Sequence, residues 1–146
     1  MDNNLADQLT IISNNIYEYC GRNHKKEIYL SHIDIKLKDH YAEGAEGEDF
    51  EKNKTLPFID ENGNCLGHYS YDFVFPETKE VVNVVIIDDN QEIMKQVELL
   101  YNQIKNIDYN RGYLINFPTS LSYKNREGAK IYIVSKERRP NDLTVV

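Results

Sequence analysis

An α+β domain, with helices packed on a mixed sheet in the order ααβββαββ, is what this sequence predicts. Three observations lead there. Apolar residues recur at helical spacing over the first 40 residues, at strand spacing or in short apolar runs from residue 54 to 87, and then in a helix between two apolar strands. Strand, helix, strand over that length implies a right-handed parallel βαβ unit.

The first helix carries Leu5, Leu9, Ile12, Ile16 and Tyr19 as its stripe, with Asp2 or Asn3 as N-cap and Gly21 as its end. A second runs from about His24 to Tyr41. Leu30, Ile33, Leu37 and Tyr41 form its buried side, and Lys25, Lys26, Lys36 and Lys38 its wet side. Gly44 and Gly47 then break the chain in an acidic loop near residues 42–53. Lys54–Asp60 reads as a short strand, placed at a sheet edge by Pro57. Asn62-Gly63 supplies a turn. Cys65–Phe75 is a long strand with Tyr71, Phe73 and Phe75 on one face and Asp72 and Val74 on the other. Val81–Ile87 is apolar except for Asn83, which suits burial on both faces.

Asp88-Asp89-Asn90 caps a helix to about Ile107, with Ile93, Val97, Leu100 and Ile104 inward. Arg111–Phe117 is an apolar strand, Pro118–Gly128 a polar loop, and Ala129–Lys136 a last strand with Ile131 and Ile133 on one face. The charged tail from about Glu137 is expected to fray. Residues 1–146 are thus read as one domain, a size that can bury its own core.

The net charge of −7 argues against bulk binding to nucleic acid, since each phosphate contact needs a Lys or Arg. The charge is uneven. Residues 1–120 hold 11 basic and 21 acidic groups, whereas residues 121–146 hold 6 and 3. Tyr123, Lys124, Arg126, Lys130, Tyr132, Lys136, Arg138 and Arg139 therefore form a candidate patch for a nucleic acid or a partner. The acidic start and the lack of a long apolar run lead us to expect an intracellular protein, in cytoplasm or nucleus and off the membrane. Sixteen Asn residues hint at an AT-rich source such as a large DNA virus or an AT-rich protist. Cys20 and Cys65 are too few for a disulfide framework and are expected to be reduced thiols, buried or half-buried. His24, His32 and His40 step by eight, which scatters them around a helix, and with His68 they are expected at or near the surface.

The element order and several of its segments resemble the PD-(D/E)XK nuclease-like superfamily, and within it the GxxExxY group. Gly67-His-Tyr-Ser-Tyr-Asp72-Phe-Val-Phe is similar to the family's Gly-x-Tyr-x-Ala-Asp strand. Gln96-Val-Glu98-Leu-Leu-Tyr101 is similar to its Gln-Leu-Leu-x-Tyr helix, and Gly112-Tyr-Leu-Ile-Asn-Phe117 to its Gly-hydrophobic-hydrophobic-Ile-Asn-Phe strand. The resemblance implies a restriction-endonuclease-like core. It also implies a site in which carboxylates on two strands hold Mg²⁺, a Lys two residues after the second carboxylate orients the attacking water, and a Glu on the preceding helix assists.

Asp72 matches the first carboxylate. Asn83-Val84-Val85 stands where Glu-x-Lys belongs, so Asn83 and Val85 bring neither acid nor amine. Gly21 and Tyr29 match the helix motif, but Asn23 replaces its first Gly and Lys26 its Glu. We therefore read Lys26, Asp72, Asn83 and Val85 as a vestigial site with no catalytic residue and no cofactor. An Asp72–Asn83 hydrogen-bonded pair is expected in the metal's place. The expected function is a non-catalytic interaction or regulatory protein that binds a partner protein, itself, or nucleic acid locally. The alternative is a divergent Mg²⁺-dependent DNA nuclease whose site, still using Asp72, has migrated toward Glu18, Glu92 or Glu98.

Overall fold

The computed structural model describes residues 4–21, 23–43, 49–119, 128–137 and 144–145. Two helices come first, α1 (Asn4–Cys20) and α2 (Lys26–Leu37). A meander follows of β1 (Glu51–Ile59), β2 (Cys65–Phe75) and β3 (Glu80–Val85). Then come α3 (Asn90–Asn106), β4 (Arg111–Asn116), β5 (Lys130–Ser135) and β6 (Thr144–Val145). The strands form one sheet in chain order. Every pairing is antiparallel except β3 with β4, which α3 joins as a parallel pair. This is the restriction-endonuclease-like core arrangement, a mixed sheet flanked by helices.

The sheet is covered on both faces because alternate residues of its central strands enter different cores. Val82, Val84, Tyr113 and Ile115 pack with α1 and α2. Val81, Val85 and Leu114 pack with Ile93, Val97, Leu100 and Ile104 of α3. The α3 stripe is thus as expected. Gly112 faces the same helix with no room to spare: a Cβ there would stand 2.8 Å from Leu100 Cγ.

Several expectations need correction. Tyr19 is 87% exposed and leaves the α1 stripe, which continues through Tyr17. On α2 the buried residues are Tyr29, Ile33, Asp34 and Leu37, while Leu30 and Tyr41 only pack at the margin. The strand β1 begins at Glu51, ahead of the expected Lys54. The charged tail, expected to fray, contributes β6, whose Thr144 and Val145 pair with Ile133 and Tyr132. The expected N-cap residues Asp2 and Asn3, and residues 44–48 of the acidic loop, lie outside the described residues. No helix among the described residues is long and apolar enough to cross a membrane.

The expected common face of Tyr71, Phe73 and Phe75 is broken. Phe73 and Phe75 point to α1 and α2, but Tyr71 joins the α3 cluster together with Tyr69 and Leu56. The β1–β2 ribbon therefore turns over between Phe73 and Tyr71. On β1 the turning point faces Asn53, which holds a left-handed φ of 53°. Such a residue kinks and twists a strand locally. Beyond this point β2 has no register with β3, with which it pairs only from Phe73 to Phe75. The outer ribbon is held by β1–β2 pairing, by Phe58 stacked on Tyr69 at 4.4 Å, and by Asn106 of α3 donating to the Tyr69 hydroxyl.

At the ribbon tip the Asp60 carboxylate accepts the backbone N–H groups of Asn62 and Asn64. The Asn64 N–H foremost, against slight desolvation and with help from Asn62, holds Asp60 below the usual carboxylate range. A depressed acid contributes above its unfolded value and loses that contribution as pH falls through the folded one. The Asn62 and Asn64 amide resonances should therefore move together as pH drops below about 4. Amides that stay fixed would show that these bonds are absent. For the core, Gly112→Ala should cost about 1–3 kcal/mol in denaturant unfolding, because Leu100 has to leave its place.

Candidate functional site

The turning of the ribbon opens a cleft between β2 and β3, and the strand positions of Asp72 and Asn83 lie at its inner end. The cleft has a volume of about 430 Å³ and is lined by Lys26, Asn53, Ser70, Asp72, Asn83, Val85 and Gln103, among others. Its walls carry mostly amides and hydroxyls rather than charges.

Where the β2–β3 ladder stops, side chains continue it. The Asp72 N–H donates to Asn83 Oδ1 at 2.9 Å. The Val84 N–H donates to Asp72 Oδ2 at 2.7 Å. These two residues thus stand in for the carbonyls that a continuous ladder would supply. The expected Asp72–Asn83 pair exists, but it is joined crosswise through the backbone. This answers why a polar residue interrupts the Val and Ile run: without Asn83, a half-buried N–H would lose its acceptor.

Lys26, at the start of α2, completes the cluster. Its Nζ lies 3.1 Å from Asp72 Oδ2, with the Asp72 side chain 12% exposed and that of Lys26 43% exposed. The same carboxylate oxygen thus receives an ammonium and a backbone N–H. Lys26 stands at the helix position where the resemblance implies a Glu, and it brings a cation to Asp72 where that resemblance would place a second acid. Val85 lines the cleft with an apolar side chain two residues beyond Asn83. The structure therefore brings Lys26, Asp72, Asn83 and Val85 to one cleft.

The donor set does not fit Mg²⁺. A hard dication wants several oxygen ligands, two or more of them anionic in such a site. Asp72 is one carboxylate, already engaged. At an effective dielectric of about 20, a dication about 4 Å from an ammonium is opposed by roughly 8 kcal/mol, less the screening that a half-exposed Lys receives. Among the described residues no group of three or more His, Cys, Asp or Glu side chains is placed to hold a metal ion.

Other acids have other work. Asp89 is the α3 N-cap, accepting the Gln91 N–H at 3.0 Å. Asp88, expected to share that cap, instead accepts from the N–H and hydroxyl of Thr119. Glu92 accepts from Gln96 one turn along α3.

The basic patch is only partly within the described residues. Tyr123, Lys124, Arg126, Arg138 and Arg139 lie outside them. Lys130 and Lys136 sit at opposite ends of β5, roughly 20 Å apart at strand rise. Lys136 is paired with Asp108 at 2.7 Å, which holds the Asp108 carboxyl below its usual range. Tyr132 packs against the α3 core, and burial pushes its phenol up. The described members thus converge on no single point.

Two features escaped the sequence. Glu80, one residue ahead of the expected strand Val81–Ile87, opens β3 and is buried, accepting from the Tyr113 hydroxyl. Burial first, and then the Glu80 charge, push that phenol far up. Asn116 is buried at the end of β4 and bonds both the N–H and the C=O of Ile87, imitating a strand partner. Only its position, polar within an apolar strand, signalled a structural role.

No protein-family model matches the chain, and no curated protein matches it. Among solved structures it is similar to a phage-related exonuclease from Haemophilus somnus 129PT, at 15% identity and a TM-score of 0.42. The match covers 88% of this chain and 71% of that one.

Asp72→Asn should cost about 1 kcal/mol or less, since an amide oxygen still accepts from Val84 and the lost ion pair is half-exposed. Asp72→Ala should cost about 1–3 kcal/mol, because the Val84 N–H loses its acceptor. Equal losses in the two variants, read by urea unfolding, would show that charge rather than backbone satisfaction is what Asp72 provides.

Proposed function

We propose that this chain is a non-catalytic interaction protein on a nuclease-like scaffold, nearest to the GxxExxY group. The observation that carries the reading is the Lys26 ammonium seated on Asp72, where catalysis of the family's kind would need a metal ion. A phosphodiester-cleaving site has to ready a hydroxide and stabilise charge on the phosphate. Here the acid is neutralised from within, the second acid is an amide that serves the backbone, and the amine that would orient water is the isopropyl group of Val85.

What the scaffold keeps is a twisted sheet, a projecting ribbon and a polar cleft. Its net charge of −7 favours a protein partner, or a second copy, over extended contact with a phosphate backbone. Nucleic acid bound through a local basic patch would be released steeply by salt.

Single- and double-stranded DNA incubated with the protein and Mg²⁺ or Mn²⁺ should remain uncut. Metal-dependent cleavage that is lost in Asp72→Ala would refute the reading and establish a working nuclease. The converse experiment restores the family's groups together, as Lys26→Glu, Asn83→Glu and Val85→Lys. That variant should bind Mn²⁺ where the parent does not, measured by calorimetry, provided circular dichroism shows it folded.

A further inference from the structure

We propose that Cys65 and His68, at the tip of the β1–β2 ribbon, are one half of a zinc site that the same pair from a second copy completes. The inference is independent of the reading of the nuclease-like cleft. It begins from a contact at the opposite end of β2. Cys65 Sγ and His68 Nε2 lie 3.9 Å apart, and both residues are exposed. Zinc holds thiolate sulfur at about 2.3 Å and imidazole nitrogen at about 2.0 Å, so two ligands at a tetrahedral angle stand roughly 3.5 Å apart. A small rotation of either side chain closes the difference. The thiol's present partner is the Gly67 carbonyl at 3.4 Å, a weak bond that coordination would replace.

Two ligands do not make a structural zinc site, which takes four. Among the described residues no third His, Cys, Asp or Glu joins the pair. In this site a second copy brings the other two ligands, and the ribbon edge is the surface by which it pairs. The N–H of Asp72 points toward β3, so by strand alternation the backbone groups of Ser70 and His68 point to that side too, beyond the end of the β3 register. Exposed strand edges are normally blunted by charge or proline. The outer strand β1 is so protected, with Lys52, Lys54 and Pro57. The segment Leu66–Ser70 has none of these. Beside the pair, Leu66 is 62% exposed and Ile59 54% exposed, two apolar side chains that tip-to-tip contact would cover.

Charge explains why metal is required. Asp60 and Glu61 sit in the turn next to the pair, so two tips brought together bring four carboxylates together. A dication between them offsets that repulsion. On binding, each Cys65 thiol releases its proton to solvent, and two thiolates balance the Zn²⁺ charge.

The test uses the intact chain, stripped with chelator and then titrated with Zn²⁺, with mass read by light scattering on a sizing column. The expected result is a doubling of mass that saturates at one zinc per two chains and reverses with chelator. Co²⁺ in place of Zn²⁺ should give the intense visible absorption of a tetrahedral site with thiolate ligands. Cys65→Ser and His68→Ala should each abolish both signals while remaining folded by circular dichroism. Cys20→Ser, on α1, should retain them. Three results would each overturn the proposal: no zinc bound at micromolar concentration, one zinc per chain without a change in mass, or a dimer that forms equally well in chelator.

Discussion

The parting of β2 from β3 shapes the cleft, and at that point the Asp72 carboxylate takes the Val84 N–H and the Lys26 ammonium together. Sheets part at a cost, because each unpaired N–H and C=O in a half-buried position needs a new partner. Asn83 and Asp72 supply those partners from their side chains. The carboxylate that results is 12% exposed and would be uncomfortable without a countercharge. A nuclease meets that need with a divalent ion. This chain meets it with a residue of its own, from the first turn of α2.

The arrangement joins the layers of the fold as well as filling a site. The two N-terminal helices cover one face of the sheet, α3 covers the other, and the cleft runs between the ribbon and the α3 side. Lys26 therefore fastens the helix pair to the strand that begins the ribbon. The reversal of faces at Asn53 and Asp72 lets the outer ribbon pack Tyr69 and Tyr71 on α3, where Tyr71 donates to Gln103. Gly67 allows that ribbon to close, since a Cβ there would lie 2.7 Å from the Phe58 ring. The projecting strands are thus ordered by α3 and by each other, leaving their tip exposed.

Most of the fold was legible because it rests on periodicity. The α3 stripe, the two-sided burial of β3 and β4, and the helix-joined parallel pair all follow from where apolar residues fall. The turn of the ribbon was not legible, because it depends on a left-handed Asn53 in the stretch Glu51-Lys52-Asn53-Lys54, which reads as loop. The two-residue β6 lies in a charged tail and has no periodicity to show. Asp72 and Asn83 were readable as partners, since their spacing across a hairpin brings them opposite. Lys26 was readable only as a missing Glu. That it pairs with Asp72 is a relation between distant parts of the chain, which appears once the helix start and the strand are in place. Glu80 and Tyr113 are the converse case, ordinary in sequence and buried together in space.

The most direct measurement of the central claim is an Mn²⁺ titration followed by amide resonances in solution. If Lys26 occupies the cation's place, the Asp72 and Val84 amides keep their linewidths at millimolar Mn²⁺, and in Lys26→Ala they broaden modestly at most, because one carboxylate is a weak ligand set. Strong paramagnetic broadening centred on those two amides in the unaltered protein would mean that the site still holds a metal ion and that Lys26 has not taken its place.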